Sequence, residues 1–257
     1  MDKKTKKMAL GLIVVILVTA VAGLKVGSWL PIIGDPNSPA NSYLSPYYIL
    51  NAEVDTHSPN IVTAVLADYR GFDTLFETCV LFLSGLTTLM VLSTKKKVER
   101  VMSDEDKRKA SFGGSVLDAS FRIVVPIVMI YGIYVLFHGE VSLGGGFQAG
   151  ALLACGYLIE RIIPSMNTSI GHASAEKLMI FAGLGAFFYA FTGILPMLFG
   201  GNFLEYEYLP FGTRVQEGAA NLHATGILMI EIGVTITVMA VIINILEVVL
   251  ERTDFDD

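Results

Sequence analysis

The chain has 257 residues, of which 53% are hydrophobic and 16% are charged, and its formal net charge is -6. Soluble domains carry about 25% charged residues, so this composition excludes an ordinary water-soluble globule. A helix needs about 20 apolar residues to cross a hydrocarbon layer, and several stretches of the sequence reach that length. The sequence therefore predicts an all-α polytopic membrane protein. Its basic runs are short and carry no interleaved aromatic residues, which excludes nucleic acid as a partner.

The apolar stretches predict six transmembrane helices. In chain order they cover residues 8–30, 73–93, 119–138, 146–164, 175–200 and 222–250. Lysine and arginine residues cluster before the first helix and between the second and third, and Arg252 follows the sixth. Since these positions fall on one side of a six-helix chain, the positive-inside rule predicts a multi-pass protein of the inner (cytoplasmic) membrane with both termini cytoplasmic.

Two polar stretches interrupt the apolar runs. Residues 31–58 contain four prolines and the turn sequence Gly34-Asp35-Pro36-Asn37, so they are predicted to form an ordered outer loop rather than a helix. Residues 94–118 combine mixed charges with a pair of glycines and are predicted to be a cytoplasmic linker. The linker divides the chain into a two-helix unit, 1–93, and a four-helix unit, 119–257.

A group of charged residues lies at the start of the second predicted helix. Its members are Asp68, Arg70, Asp73 and Glu77. Charges beside a membrane helix are costly unless they are paired or hydrated. In a structural interpretation, Thr74 and Glu77 form a capping box, Gly71 permits a turn, and Arg70 pairs with Asp68 or Asp73. In the alternative interpretation, the carboxylates belong to a cation path at the outer face.

A glycine-rich segment joins the third and fourth predicted helices. It contains Gly144, Gly145, Gly146 and Gly150. Three consecutive glycines lose too much backbone entropy to form ordinary helix, so they indicate a sharp turn or a close contact with another chain. The G-x-x-x-G spacing of Gly146 and Gly150 allows a neighbouring helix to approach closely. His138 and Glu140 either form a titrating pair or are satisfied by solvent.

An acidic residue, Glu231, lies inside the apolar run of the last predicted helix. A carboxylate at this depth costs about 2.5–3.5 kcal/mol on insertion scales, so it should face the bundle or a wet cavity. Ion or proton handling and an inter-subunit hydrogen bond are equal alternatives for it. His223 lies about 12 Å along the same helix, too far away to contact Glu231. Asn244 and Glu247 extend the polar positions toward the cytoplasmic end, with Glu247 nearly on the opposite face from Glu231.

No sequence pattern typical of an enzyme or a metal centre is present. Cys79 and Cys155 lie within apolar stretches, far from any Cys or His at metal-ligand spacing. No H-E-x-x-H motif occurs. The sequence therefore predicts a non-catalytic chain without a metal site.

Two motifs resemble parts of the Mrp-type multi-subunit cation/proton antiporters. Residues 119–250, with HGEVSLGGGFQAG and a later EIGV, resemble the B subunits of these systems, and residues 59–93, with ADYRGFDT, resemble the C-terminal tail of their large A subunits. The residues that match the tail motif are Asp68, Arg70, Gly71, Phe72, Asp73 and Thr74. Those that match the B motif are Gly144, Gly145, Gly146, Phe147, Gln148 and Gly150. Glu140, Leu143 and Ala149 differ from the family's usual residues.

The resemblance implies an accessory membrane subunit of a sodium/proton antiporter module, with no cofactor of its own and a sodium ion in transit. Its partners would be other membrane subunits of an Mrp-like module and the lipid bilayer. A fused tail-plus-B chain is similar to rearranged modules in membrane-bound hydrogenase or sulfane-sulfur reductase complexes, which implies hydrogenase- or oxidoreductase-type partners. The ion-pathway candidates are Glu231, Asp68, Asp73, Glu77, His138, Glu140 and His223. The alternative is a structural subunit that docks its neighbours without lining an ion path.

Overall fold

A computed structural model describes residues 3–26, 35–38, 40–92, 114–162, 174–212 and 218–253. Within these ranges the chain forms eight α-helices and no strands. The helices are α1 (Lys3–Val26), α2 (Ser45–Thr56), α3 (Ile61–Thr63), α4 (Gly71–Leu92), α5 (Gly114–Phe137), α6 (Gly146–Ile162), α7 (Ala175–Leu198) and α8 (Ala219–Thr253). Short π-helical segments cover Ala40–Leu44 and Ala64–Tyr69, and Tyr206–Tyr208 form a 3-10 turn. The predicted all-α fold class is confirmed.

Four helical segments are long and apolar enough to cross a membrane. They are Gly71–Leu92, Ala119–Phe137, Ala175–Leu198 and Ala219–Val249. These segments are typical of the predicted multi-pass membrane protein. The other two predicted spans are not confirmed in the described residues. Helix α1 contributes the apolar run Gly11–Gly23, and α6 has 17 residues, which extend over about 26 Å.

The predicted outer loop at 31–58 is wrong over its second half, where Ser45–Thr56 form α2. Pro46 is the second residue of this α-helix, which directly follows the π-helical segment Ala40–Leu44. The expected turn chemistry is present at Asp35, whose carboxylate accepts a hydrogen bond from the Asn37 amide at 2.9 Å. The proline is therefore accommodated near the start of α2 instead of preventing it. Pro31 and Pro39 lie outside the described residues.

The chain divides into two compact units, Met1–Asn51 and Ala52–Asp257. The predicted linker at 94–118 lies outside the described residues up to 113, and residues 114–118 form the first turns of α5. In the second unit, α8 is the central helix, because α4, α6 and α7 all pack against it, while α5 packs mainly on α6. About two thirds of the most apolar part of α8 is buried, against about a tenth for α4. The functional candidates on α8 therefore lie inside a bundle.

Helices α7 and α8 approach each other so closely at Gly185 and Gly233 that their backbones touch. A Cβ atom on Gly185 would lie 2.6 Å from the Gly233 carbonyl oxygen and 2.5 Å from the Thr237 hydroxyl. That hydroxyl donates hydrogen bonds to Ala182 O and Gly233 O, both at 3.0 Å. Small residues allow this approach, which contributes dispersion contacts and an interhelical hydrogen bond.

We expect Gly185→Ala to destabilise the bundle by about 1–3 kcal/mol, because the added methyl group forces the two backbones apart. The matched control is Gly183→Ala on the same helix, where an added Cβ meets Phe82 at 3.4 Å, an ordinary contact distance. Thermal unfolding of the purified chain in detergent measures both variants. Equal melting temperatures for the two would contradict the close approach of α7 and α8.

Candidate functional site

The Glu231 carboxylate lies against the turn that joins α5 and α6. A Cβ atom on Gly139 would lie 2.8 Å from both carboxylate oxygens, and one on Gly145 would lie 3.2 Å from Oε1. Gly145 also has a φ of 136°, which favours glycine over any other residue. Glu231 is 8% exposed. The glycines thus provide the space that a buried carboxylate occupies, and we call Glu231, Gly139 and Gly145 the glycine pocket.

The start of α6 packs directly on the backbone of α8 beside the glycine pocket. A Cβ atom on Gly146 would lie 2.5 Å from the Glu231 carbonyl oxygen, and one on Gly150 would lie 2.8 Å from that of Thr235. The Thr235 hydroxyl donates to Gly146 O at 3.2 Å and to Glu231 O at 2.8 Å. The close helix approach that the G-x-x-x-G spacing predicts is therefore present, between α6 and α8 of the same chain.

Residues 58–63 fix the α5–α6 turn from its other side. The Thr63 hydroxyl donates to Gly139 O at 2.6 Å, and the Asn60 amide donates to Gly139 O at 2.9 Å and to Ser142 O at 2.7 Å. The Ser58 hydroxyl donates to Glu140 O at 3.2 Å. Glu140 itself is 5% exposed. These bonds satisfy carbonyl groups that an irregular turn leaves without helical partners.

His223, near the start of α8, forms a second buried polar cluster. Its Nδ1 lies 2.6 Å from Asp68 Oδ2, and its Nε2 lies 3.7 Å from Glu207 Oε1. The rings of His57 and Tyr206 meet the imidazole edge-on, with centroids 5.6 and 5.9 Å away. Sequence reasoning missed this pairing, because Asp68 is 155 positions away in the chain.

Two tyrosines link the segment before α4 to the rest of the bundle. The Tyr206 hydroxyl donates to Ala67 O at 2.7 Å, and the Tyr189 hydroxyl donates to Gly71 O at 2.6 Å. Burial raises the pKa of Tyr206 well above its ordinary value, and the nearby Tyr189, Asp68 and Glu231 raise it further. The Tyr206 phenol therefore stays protonated and acts as a hydrogen-bond donor.

The expected capping box at Thr74 and Glu77 is wrong, because α4 already begins at Gly71. Thr74 therefore lies inside the helix, and its hydroxyl donates to Leu66 O at 2.7 Å. Arg70 pairs with Asp73, with its Nε 2.6 Å from Oδ2. Of the two partners considered for Arg70, Asp73 is thus the one observed, which leaves Asp68 to His223.

Three of the sequence candidates lie on the outside of the bundle, away from the glycine pocket. Asp73 and Glu77 are exposed on α4. His138 is also exposed, and its ring stacks on Tyr134 with centroids 3.9 Å apart. The structure therefore separates these three from Glu231, Glu140 and His223, which are buried, while Asp68 is partly buried.

Two further buried polar residues lie near the opposite end of α8. The Asn244 amide donates to Gly85 O at 3.1 Å, and Tyr157 donates to Glu247 Oε1 at 3.0 Å. Both α8 residues are less than a twentieth exposed. Their sequence signal is a polar residue in an apolar run, the same signal that identified Glu231. In the described part of the chain, no group of three or more His, Cys, Asp or Glu residues is placed to hold a metal ion.

Comparison with protein-family models shows which family the chain belongs to. A family model described as a domain related to the MnhB subunit of the Na+/H+ antiporter matches residues 116–244, half of the chain. The chain belongs to this MnhB-related family. A second model, MbhE, described as the E-type subunit of MBH, matches residues 10–108. The MnhB-related domain thus contains Glu231, the glycine turn and His223, whereas Asp68 and residues 58–63 belong to the second match.

Named relatives match different shares of the chain. The Staphylococcus haemolyticus protein named as the putative antiporter subunit mnhB2 is 31% identical over 137 residues, which cover 51% of this chain and 90% of the relative. The Rhizobium meliloti protein named as a probable A/B subunit of a K(+)/H(+) antiporter is 25% identical over 232 residues, or 78% of this chain. This chain spans 22% of that longer relative. Similarity to the A/B protein thus extends well beyond the MnhB-related domain.

Two solved structures share the fold. The membrane-bound sulfane sulfur reductase, described as an archaeal respiratory membrane complex, contains a chain that matches with a TM-score of 0.69 and 25% identity, covering 94% of this chain and 98% of that one. The Mrp complex from Dietzia sp. DQ12-45-1b matches with a TM-score of 0.68 and 24% identity, covering 96% of this chain and 26% of that one. The MnhB-related chain is therefore a multi-pass membrane protein with the fold of Mrp-type antiporter subunits.

We expect Thr63→Val to destabilise the protein by about 1 kcal/mol, because the buried Gly139 carbonyl loses a hydrogen-bond donor while side-chain shape is kept. The matched control is Thr87→Val, since Thr87 is exposed and its hydroxyl donates within its own helix, to Leu83 O. Chemical or thermal unfolding of the two variants compares them directly. A control as unstable as Thr63→Val would show that residues 58–63 do not fix the α5–α6 turn.

Proposed function

We propose that this chain is an accessory subunit of a sodium/proton antiporter module in a respiratory membrane complex, and that it contributes to the cation-translocating part. The MnhB-related family supports the antiporter assignment. The match to nearly all of a chain in the sulfane sulfur reductase complex supports the respiratory setting. The chain itself is not an enzyme in this proposal, and redox chemistry belongs to other subunits.

The proposed partners are other membrane subunits of an Mrp-like module and hydrogenase- or oxidoreductase-type subunits. Large apolar side chains such as Val80, Ile127 and Phe187 are exposed on α4, α5 and α7. In the proposed complex these surfaces meet lipid or neighbouring membrane subunits, because the described part of the chain leaves them exposed. The proposed location of the chain is the cytoplasmic membrane, with both termini on the cytoplasmic side. This topology agrees with the basic residues that flank the helices.

The observation that carries the proposal is the buried carboxylate of the glycine pocket. An ionisable residue inside a membrane bundle marks an ion or proton pathway more often than a structural site. Oxygen atoms are the ligands that hard cations prefer, and the pocket offers a carboxylate beside a turn of irregular backbone. In this proposal a sodium ion passes Glu231 in transit, and the chain needs no resident cofactor.

The other candidates take different places in the proposed path. Glu140 adjoins the glycine pocket, because it follows Gly139 in the turn. Asp73, Glu77 and His138 are exposed on the bundle surface, so they line a path only where a neighbouring subunit covers them. The proposal therefore places the path partly within this chain and partly at its interface with a neighbour.

Glu231→Gln in the native complex tests the proposal. We expect sodium-dependent transport to fall by about tenfold or more, because a lost charge-assisted contact costs about 1.5–3 kcal/mol. Assembly should persist, since Gln keeps the shape of the side chain. The matched control is Glu176→Gln, in the exposed first turn of α7. Transport in membrane vesicles and subunit composition by mass spectrometry measure the two effects separately.

A purely structural role is the competing function, and the hydrogen bonds around the α5–α6 turn favour it as the second candidate. A docking role predicts that Glu231→Gln, Gly145→Ala or Arg70→Ala dissociates the complex without slowing the transport of whatever remains assembled. Full transport in an assembled Glu231→Gln complex would exclude the cation role of the glycine pocket.

A further inference from the structure

Three separate segments of the chain meet at the imidazole of His223. Asp68 comes from the π-helical segment before α4, Glu207 from the 3-10 turn, and His223 from the start of α8. The His223 side chain is 8% exposed, compared with 18% for Asp68 and 56% for Glu207. The buried imidazole of His223 thus lies between the partly buried Asp68 carboxylate and the Glu207 carboxylate, which is exposed to water.

The contact with Asp68 determines which ring nitrogen of a neutral His223 carries the proton. An ionised carboxylate only accepts hydrogen bonds, so at 2.6 Å the Nδ1–H donates to Asp68 Oδ2. Nε2 then carries no hydrogen and can only accept a hydrogen bond. This atom is buried, and among the described residues no group lies within hydrogen-bond distance of it. A buried acceptor without a donor is unfavourable, and adding a proton at Nε2 removes that deficit.

Glu207 is placed to deliver and stabilise that proton. Its Oε1 lies 3.7 Å from Nε2, within the range of an ion pair but beyond that of a hydrogen bond. Because the Glu207 side chain is more than half exposed, it exchanges protons with water directly. Once Nε2 is protonated, the imidazolium faces one carboxylate at each nitrogen, an arrangement that favours the charged form.

We infer that His223, Asp68 and Glu207 form a proton-loading site at the end of α8 remote from Asn244 and Glu247. One proton moves from water to the Glu207 carboxylate and from there to His223 Nε2, converting neutral imidazole to imidazolium. When the proton leaves by the same route, the Nδ1–H tautomer is restored. This site is distinct from the glycine pocket and goes beyond the proposed cation role of Glu231.

Within the described ranges, the groups that face His223 belong to segments named above. Asp68 and Glu207 are the charged ones, and the His57 and Tyr206 rings pack on the imidazole. His57 adopts a left-handed backbone conformation, with φ 55°. Tyr206 keeps its proton and donates to Ala67 O, so it does not compete for the proton of His223. Glu231, eight positions further along α8, is the next charged group on the same helix.

Solid-state NMR of the full chain in lipid nanodiscs, with labelled histidine, tests the inference without any transport assay. The chain has four histidines, so the His223 signals can be assigned by replacing each of the other three with Gln. We expect His223 to change from imidazolium at low pH to the Nδ1–H tautomer at high pH. Glu207→Gln should move the midpoint to lower pH by about one unit, because one stabilising carboxylate is lost.

Glu205→Gln is the matched control, because its carboxylate binds the Asn202 backbone and side-chain amides at 2.7 and 2.9 Å. It should leave the midpoint unchanged. An Nε2–H tautomer at high pH, a His223 that does not titrate, or equal shifts in the two Glu variants would each overturn the proton-loading site. Since none of these readouts involves sodium, failure of the Glu231 proposal would leave this result intact, and the reverse also holds.

Discussion

The structure depends on the close packing of other helices around the backbone of α8. Small residues bring α6 within contact distance at Gly146 and Gly150, and α7 does the same through Gly185 and Gly233. In a membrane, apolar burial between helices gains little over lipid, so such contacts and interhelical hydrogen bonds must hold the bundle together. The same packing removes the polar side chains of α8 from lipid, which makes it possible for Glu231 and His223 to lie at membrane depth.

The segment that resembles the tail of a large antiporter subunit completes the MnhB-related domain. Residues 58–63 hold the α5–α6 turn, Ala67 and Gly71 accept hydrogen bonds from Tyr206 and Tyr189, and Asp68 binds His223. Each of these contacts would have to form between two proteins if the segments were separate subunits. In this chain the covalent connection keeps the two parts at fixed stoichiometry, and the ordering entropy of their association is reduced.

The sequence predicted the features that depend on local composition. An acidic residue in an apolar run identified Glu231 as buried, and the glycine run identified a turn and a close helix contact. The features that the sequence did not predict depend on long-range packing or on a residue's position within a helix. His223 pairs with Asp68, which lies 155 positions away in the chain. No periodicity in the sequence indicates such a long-range contact. Pro46 was taken to break a helix but is the second residue of one, and Thr74 was taken as a cap although α4 starts a turn earlier.

The arrangement of the two proposed sites on one helix gives a physical reason for coupling between them. Glu231 and His223 are about 12 Å apart along α8. At an effective dielectric constant of about 20, two unit charges at that distance interact by about 1.4 kcal/mol, which corresponds to a tenfold change in affinity. A cation in the glycine pocket would therefore weaken proton binding at His223, and a proton on His223 would weaken cation binding by the same factor. Antagonism of this sign is what an antiporter requires, and in the proposal the tenfold effect would need no movement of the helices.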